Sequence, residues 1–283
     1  MVRNLNEMMN RLPQSYWLTP PEQPGYEELK RDISAEIAIV GGGIAGITLA
    51  YLLCKEGLRP TVLEANRILF GTTGHTTAKV TSQHDLIYDK IATQFSKGFA
   101  QQYATANESA IREIEKTVRA LNVNCDFEPQ SAYVFAWEEA SIPKIHDEVK
   151  AASELGIKAE YVESIPFDIP MKAGVRFDNQ AQFHPRRYLL ALAKQMTEKG
   201  CAIYENSKVV DLEETDGIYT LKTGNGSKVC AQKVVIASHY PFFNKAGLYF
   251  SRLYVERSYI IATEARDNPT HRRAIQPFAR QSV

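Results

Sequence analysis

Three glycines interrupt the first sustained apolar pattern of the chain. Residues 36–40 form a short apolar run that is typical of a buried parallel strand, and the glycines stop it. Apolar residues then recur from 44 to 53 with the spacing of one helix face, and Gly57 stands where a C-terminal cap belongs. Residues 60–64 predict a second strand, so this part of the chain predicts a βαβ unit.

The turn matches the Gly-x-Gly-x-x-Gly fingerprint of dinucleotide-binding folds. Gly41 permits a tight turn, Gly43 leaves room for a pyrophosphate, and Gly46 lets the helix approach the sheet. The helix N-terminus offers N–H donors, and Glu64, about 20 residues further on, can accept hydrogen bonds from a ribose while repelling a 2′-phosphate. A glycine-rich turn without a nucleotide is the alternative. The residues predicted to line this site are Gly41, Gly43, Ile44, Ala45, Gly46, Glu64 and Ala65.

Length and charge narrow the class of protein. A chain of 283 residues with 44% hydrophobic side chains can bury two intertwined domains. Its 33 basic and 33 acidic side chains cancel, which argues against binding to nucleic acid or to an anionic membrane. There is no apolar stretch of about 18 residues, and the polar start of the chain lacks the core of a signal peptide, so we expect a cytoplasmic protein.

The four cysteines stand far apart, without a Cys-x-x-Cys pair or a histidine at ligand spacing. They predict no metal site of their own. In a chain without an export signal we expect buried thiols. These residues are Cys54, Cys125, Cys201 and Cys230.

The rest of the chain alternates between helical and strand patterns. Helices are predicted at 85–121, 145–155 and 185–199. Strands are predicted at 132–137, 159–162, 201–204, 208–212, 218–222, 229–230, 233–237 and 253–262. Gly224, Asn225 and Gly226 predict a hairpin turn between two of these strands, and the stretch from 208 to 230 is predicted as an antiparallel β-meander.

After the second strand, the chain enters a loop of small hydroxyl residues at 71–77 instead of another βα unit. Here the sequence resembles the FAD-dependent amine and amino-acid oxidoreductases of the D-amino-acid oxidase and glycine oxidase superfamily. The resemblance is most specific at 39–46, 62–78 and 234–241. The loop is most similar to bacterial members that carry a C-terminal Rieske domain, whose Cys-x-His and Cys-x-x-His pairs are absent from this sequence.

The resemblance implies an α/β fold with discontinuous domains. Residues 1–34 are expected to form an N-terminal arm. Residues 35–85 and 181–245 are expected to form a Rossmann-like FAD-binding domain with the inserted β-meander, and residues 86–180 and 246–283 an α+β substrate domain that is incomplete.

The resemblance also implies further cofactor contacts. The loop at 71–77 passes beside the flavin diphosphate and ring, although such a loop can also be a plain solvated turn. The strand at 208–212 meets the adenine through its backbone, and a strand end near 237 closes over the cofactor. The residues implied are Gly71, Thr72, Thr73, His75, Thr76, Val209, Val210, Ala237 and Ser238.

Two candidate roles remain open at the level of single side chains. In related dehydrogenases a histidine at the spacing of His75 is bonded covalently to the flavin, and the alternative is a histidine that only forms hydrogen bonds. Arg186 or Arg187 could bind a substrate carboxylate, and the alternative is a solvated arginine at a helix N-terminus. No catalytic residue is assigned.

The activity implied is oxidation of a C–N bond of an amine or amino acid by hydride transfer to the flavin, with oxygen or a Rieske iron–sulfur centre as electron acceptor. An NAD-dependent dehydrogenase is one alternative. The other is a non-catalytic flavin-binding product, because no second glycine-rich strand–helix junction follows Ala237. On that ground we expect a C-terminally truncated chain that binds FAD weakly.

Overall fold

The computed structural model describes residues 15–18, 25–166, 169–243 and 247–256. The described residues within Met1–Thr76 and Pro185–Ala274 form one compact unit, called the first unit. The described residues within Thr77–His184 belong to a second compact unit, called the second unit. Along the chain the elements are β1 (Ile33–Val40), α1 (Ile44–Lys55), β2 (Pro60–Leu63), β3 (Lys79–Val80), α2 (Tyr88–Gln94), α3 (Lys97–Ala120), β4 (Glu128–Ala136), α4 (Ile142–Glu154), β5 (Ala159–Val162), β6 (Ala173–Gln182), α5 (Pro185–Glu198), β7 (Ala202–Tyr204), β8 (Val209–Thr215), β9 (Ile218–Thr223) and β10 (Lys228–Ile236).

The described part of the first unit contains a six-stranded sheet in the order β7-β2-β1-β10-β9-β8. β1 lies parallel to β2 and to β10, and β2 lies parallel to β7. β8, β9 and β10 pair antiparallel, which forms the meander predicted near residues 208–230. A parallel sheet that begins with a β1-α1-β2 crossover confirms the Rossmann-like α/β prediction.

The two strands predicted at 229–230 and 233–237 are one strand. β10 runs unbroken to Ile236 because it pairs with β1 along most of its length. β9 accompanies it only as far as Ala231. Among the described residues, the last part of β10 has a strand neighbour on one side only, and Ile236 is 39% exposed. The expectation that the strand at 233–237 is buried is therefore wrong.

α1 buries one face of the apolar stripe predicted for it. Ile47 and Cys54 are buried, and Gly57, at φ +84°, follows the helix as the predicted cap. The stripe is wider than the buried face, because Ile44 and Leu52 remain exposed.

Three of the four cysteines are buried as predicted, namely Cys54, Cys125 and Cys201. The prediction is wrong for Cys230, which is exposed. Successive side chains of a strand point to opposite faces, and Val229 and Ala231 on either side of Cys230 take the buried face of β10. Among the described residues, no group of three or more His, Cys, Asp or Glu side chains could hold a metal ion.

The second unit is organised around β6, a strand that the residue pattern did not predict. β6 pairs antiparallel with β3, β4 and β5. Its apolar residues Val175 and Phe177 are fully buried in the core of this unit. Asp178 and Gln180 interrupt the alternation of apolar residues along β6. Gln180 is nevertheless buried, and its side-chain oxygen accepts a hydrogen bond from the Ser82 N–H at 2.6 Å.

The helical region predicted at 85–121 is two helices. Ser96 has extended backbone and accepts a hydrogen bond from the Phe99 N–H, so it caps the start of α3. The fully buried carboxylate of Glu148 accepts hydrogen bonds from the backbone N–H groups of residues 87–89 and holds the start of α2. Ser96 therefore marks the break between α2 and α3, and Glu148 fixes where α2 begins.

The remaining predictions concern the chain ends. Of the predicted arm, Leu29 is fully buried and β1 already begins at Ile33. Residues 253–256 of the strand predicted at 253–262 have no regular secondary structure, and the rest lies outside the described residues. No helix within the described ranges is long and apolar enough to cross a membrane.

Candidate functional site: a dinucleotide turn in the first unit

The glycine turn lies where three parallel strands end together. The Gly41 N–H donates to the Leu63 carbonyl at 2.8 Å, and the Ala237 N–H donates to the Val40 carbonyl at 2.7 Å. Gly41 has φ +113°, and a β-carbon built on it would lie 2.5 Å from the Ala237 carbonyl oxygen. A side chain at this position therefore meets both backbone strain and a backbone clash.

Gly46 and Gly43 are also restricted, each by a different neighbour. A β-carbon on Gly46 would lie far closer to the Gly41 carbonyl oxygen than the 3.0 Å that real β-carbons keep. A β-carbon on Gly43 would lie 3.3 Å from Oγ1 of Thr73. Without a side chain at Gly46, α1 can pack onto the turn. Without one at Gly43, the N-terminus of α1 can lie close to the loop that follows β2.

The N-terminus of α1 is partly satisfied by Thr73. Its buried hydroxyl oxygen accepts a hydrogen bond from the Ile44 N–H at 2.9 Å. The first-turn N–H groups of Ala45 and Gly46 have no carbonyl one turn earlier within the helix. They are the donors that an anionic diphosphate could use, so the turn fits a dinucleotide.

Glu64 follows β2 and reaches back to the turn. Its Oε2 accepts from the Gly42 N–H at 2.7 Å, and its Oε1 accepts from the Asn66 N–H at 2.9 Å. A carboxylate offers about four lone-pair sites, so this half-buried group keeps acceptor capacity for a ribose. The two backbone donors fix the direction in which the carboxylate points.

The start of β8 lies beside Glu64. The Ser207 N–H donates to the Glu64 carbonyl at 2.8 Å. Two residues later Val209 is buried and Val210 is 49% exposed, so only one of the two predicted adenine contacts presents its side chain to the surface. Ala65 joins Glu64 to the loop beyond.

The loop predicted at 71–77 contains a turn of 3-10 helix, Thr72–His75. Gly74 is buried, and a β-carbon on it would lie 2.8 Å from the Leu18 side chain. Nδ1 of the exposed His75 is 2.9 Å from the Gly71 carbonyl oxygen. Because a carbonyl can only accept, Nδ1 carries a proton in this contact, and in the neutral ring Nε2 then carries the lone pair.

The structure therefore brings most of the predicted residues together. The Gly41–Gly46 turn, Glu64 and Thr73 are joined by hydrogen bonds, and Ala237 packs on the turn with Ser238 directly after it. Ser238 Oγ donates to the Tyr240 carbonyl at 2.8 Å. Thr72 begins the 3-10 turn and Thr76 directly follows it, where the Thr76 carbonyl accepts a hydrogen bond from the Trp17 indole N–H at 2.7 Å.

The surroundings of Arg186 match neither a solvated arginine nor an exposed ligand for a substrate carboxylate, the two roles left open by the sequence. It is only 4% exposed, whereas its neighbour Arg187 is exposed. The Arg186 guanidinium lies over the ring of Phe70, 5.0 Å from its centroid. Burial, followed by the charge of Arg67, lowers the Arg186 pKa. Sequence spacing could not reveal this, because the contact joins α5 to the loop after β2.

The second unit holds a separate group of titratable side chains that the sequence did not single out, His84 and Lys79, both exposed, and the half-buried Tyr103. A ring nitrogen of His84, Nδ1, lies 2.7 Å from the hydroxyl of Tyr103. Burial first, and then the charge of Lys79, lowers the His84 pKa. Burial also lowers the Lys79 pKa. Because burial disfavours the charged form, both side chains give up their proton more easily than they would in water.

Known proteins are similar to this chain in sequence. The sequence matches the family described as "DAO: FAD dependent oxidoreductase" over residues 36–282. It is 38% identical over 254 residues to YhfW of Bacillus subtilis, described as a Rieske 2Fe-2S iron-sulfur protein, covering 90% of this chain and 50% of that protein. It is 27% identical over 242 residues to the oxidoreductase OrdL of Haemophilus influenzae, covering 81% of this chain and 56% of that protein.

The fold also matches a solved structure, glycine oxidase from Geobacillus kaustophilus, with a TM-score of 0.58 and 20% identity. That match covers 72% of this chain and 55% of the other. The chain thus spans about half the length of the relatives it matches. The family match covers most of the chain and includes the glycine turn, Glu64 and β10. The chain therefore belongs to the FAD-dependent oxidoreductase family, and its cofactor is FAD.

Proposed function

We propose that this protein oxidises a C–N bond of a small amine or amino acid. The observation that carries the proposal is the family match over residues 36–282, which includes a turn where backbone atoms leave no room for β-carbons on Gly41 and Gly46. The name of the glycine oxidase that shares its fold agrees with an amino-acid substrate. FAD, when bound, supplies the hydride acceptor for the C–H bond beside the substrate nitrogen.

The chain's own residues position the cofactor. The first-turn N–H groups of Ala45 and Gly46, with the partial positive charge of α1, would hold the diphosphate. Glu64, held by two backbone donors, would accept hydrogen bonds from the ribose hydroxyls. The backbone of Val209 and Val210 would meet the adenine. The other residues proposed to contact the cofactor are Gly71, Thr72, Thr73, Thr76, Ala237 and Ser238.

The second unit supplies the substrate side in this proposal. Burial, and then the charge of Lys79, lowers the His84 pKa below the usual value for histidine, so a neutral ring nitrogen is available there at neutral pH. Hydride transfer requires the substrate amine to be unprotonated, and a neutral group of this kind can hold the released proton. His84 is not required to act as a strong base.

Anaerobic titration of the FAD-loaded protein with a panel of amines and amino acids tests the function. At least one compound should remove the flavin absorbance near about 450 nm, a property of any oxidised flavin. Free FAD with the same compounds is the control. A yellow protein that no compound bleaches contradicts the oxidation and leaves a flavin-binding protein.

The electron acceptor proposed is a Rieske iron–sulfur centre, because the Bacillus subtilis relative is described as a Rieske protein. Dioxygen is the alternative acceptor. Admitting air to the bleached protein distinguishes them. Slow return of colour, over many turnover times, supports an iron–sulfur acceptor, and return within one turnover supports an oxidase.

His75 leads to a separate prediction about the cofactor link. Its Nε2 carries the lone pair that a covalent bond to the flavin would use, since Nδ1 donates to Gly71. Acid precipitation should then leave a yellow pellet, and His75→Ala should release the colour into the supernatant. His84→Ala serves as the matched histidine control. A colourless pellet from the parent protein contradicts the covalent link and leaves the hydrogen-bonding role.

A further inference from the structure

Residues 15–18, called the N-terminal turn, pack within the first unit on the loop at 71–76. They contain a turn of 3-10 helix, Tyr16–Leu18, which contacts both the 3-10 turn Thr72–His75 and α5. The Leu18 N–H donates to the Ser15 carbonyl at 3.0 Å, and the Trp17 N–H donates to the Ser15 hydroxyl at 3.3 Å. Trp17 and Leu18 are half-buried, whereas Tyr16 is 64% exposed. The N-terminal turn therefore presents two side chains to the protein.

Trp17 holds the end of the loop. Its indole Nε1–H donates to the Thr76 carbonyl oxygen at 2.7 Å, across 59 positions of sequence. An indole has one donor and no acceptor, so a phenylalanine at this position cannot form the bond. The hydrogen bond therefore joins the half-buried Thr76 to a single atom of the N-terminal turn.

Leu18 packs on the middle of the same loop. A β-carbon on Gly74 would lie 2.8 Å from Cδ2 of Leu18 and 2.8 Å from the Leu69 carbonyl oxygen. Gly74 is buried, although Thr72 and His75 in the same turn are exposed. The missing side chain at position 74 thus lets Leu18 lie directly against the loop backbone.

The loop is also joined to the glycine turn, through Thr73. Its hydroxyl oxygen accepts a hydrogen bond from the Ile44 N–H at 2.9 Å, at the N-terminus of α1. A loop of glycines and small hydroxyl residues has little apolar surface of its own, so its conformation depends on contacts of this kind. A loop that is ordered before a ligand binds loses less conformational entropy on binding, which raises the affinity.

We propose that the N-terminal turn holds the loop at 71–76 in the conformation that binds FAD, with Trp17 and Leu18 as positioning residues. The proposal rests on the proposed contacts between this loop and the cofactor. Neither side chain is assigned a contact with FAD itself. Without the Trp17 hydrogen bond, the loop adopts more conformations, and ordering it again opposes cofactor binding.

The variant Trp17→Phe tests the proposal, because it removes the indole N–H and keeps an aromatic ring. The matched control is Trp137→Phe, since Trp137 is the other of the two tryptophans in the chain, lies in the second unit and is 48% exposed. The measurements are hydrogen–deuterium exchange of the FAD-loaded full chain and the rate of FAD release after dilution, followed by flavin fluorescence. The visible circular dichroism of the bound flavin replaces the release rate if the flavin is covalent.

Trp17→Phe should release FAD about fivefold faster than the parent, the factor that corresponds to one lost hydrogen bond. Exchange at residues 72–76 should also be faster, or, for a covalent flavin, its circular dichroism should change along with this faster exchange. Exchange in the exposed hairpin at 224–226 of the same unit should stay parental, because a general loss of stability is not involved. Trp137→Phe should match the parent in each measurement.

Parental behaviour of the flavin in a folded Trp17→Phe overturns the proposal. Faster release with parental exchange in the loop, or with equally faster exchange in the hairpin, also overturns it, because the effect then does not act through the loop. Leu18→Ala gives a second reading if Trp17→Phe does not fold, and the same results decide it.

Thr73→Ala distinguishes a failure of this proposal from a failure of the proposed cofactor site. Faster FAD release from Thr73→Ala, with parental release from Trp17→Phe, leaves the loop as a cofactor contact and overturns the role of the N-terminal turn. Parental release from both variants overturns that role and the cofactor contact of the loop together.

Discussion

Replacing Gly46 with alanine is expected to lower the free energy of unfolding by about 3 kcal/mol and to abolish FAD retention. The new β-carbon would overlap the Gly41 carbonyl oxygen, which is backbone and cannot rotate away. α1 must then move off the turn. Its N-terminal N–H groups move with it, so stability and cofactor binding fall together.

Urea unfolding and gel filtration with FAD measure these two effects. Gly224→Ala is the matched control, because the nearest atom to a β-carbon there is 3.9 Å away and the residue lies in the same unit. The control should keep parental stability within about 1 kcal/mol, the cost of an ordinary surface change. A Gly46→Ala protein that unfolds with the parent and keeps its FAD would show that α1 does not pack on the turn as described.

Replacing Glu64 with alanine should weaken FAD binding by about 1–3 kcal/mol, which is roughly 5-fold to 150-fold in dissociation constant. The change removes the ribose acceptor, and it also leaves the N–H groups of Gly42 and Asn66 without their carboxylate. Both losses act at the same turn.

Titration of the apoprotein with FAD, followed by flavin fluorescence, measures the affinity of the Glu64→Ala variant. Glu56→Ala is the control, because Glu56 is an exposed glutamate at the end of α1. A glutamine at position 64 keeps one acceptor oxygen and should fall between the alanine variant and the parent. Equal affinity in the Glu64→Ala variant and the parent would remove Glu64 from the ribose site.

The local sequence predicted the geometry of the glycine turn because the constraints on that turn are local. Gly46 is required by the nearby Gly41 carbonyl, and Gly41 by the backbone of Ala237 on the adjacent strand. Requirements of this kind produce a fixed glycine spacing that can be recognised in the sequence. Glu64 is also set by its place at the end of β2. The βα unit could therefore be read directly from the chain.

What the sequence could not predict depends on distant partners. β6 carries polar residues whose burial is decided by hydrogen bonds such as that from the Ser82 N–H to Gln180. Arg186 is buried because α5 packs against the loop that holds Phe70, more than one hundred residues earlier in the chain. Cys230 is exposed because of strand register. Composition and periodicity contain no signal for the first two of these features, and strand periodicity shows the third only once the buried face of β10 is known.

Hydrogen–deuterium exchange with and without FAD tests the central claim, that the glycine turn of the first unit holds the cofactor. FAD should slow exchange at the amides of Gly43, Ala45 and Gly46 and in the segment from Glu64 to His75. The exposed hairpin at Asn225 serves as an internal reference and should not change. Saturating FAD that leaves the Gly43–Gly46 amides unprotected, while protecting another part of the chain, would contradict the account.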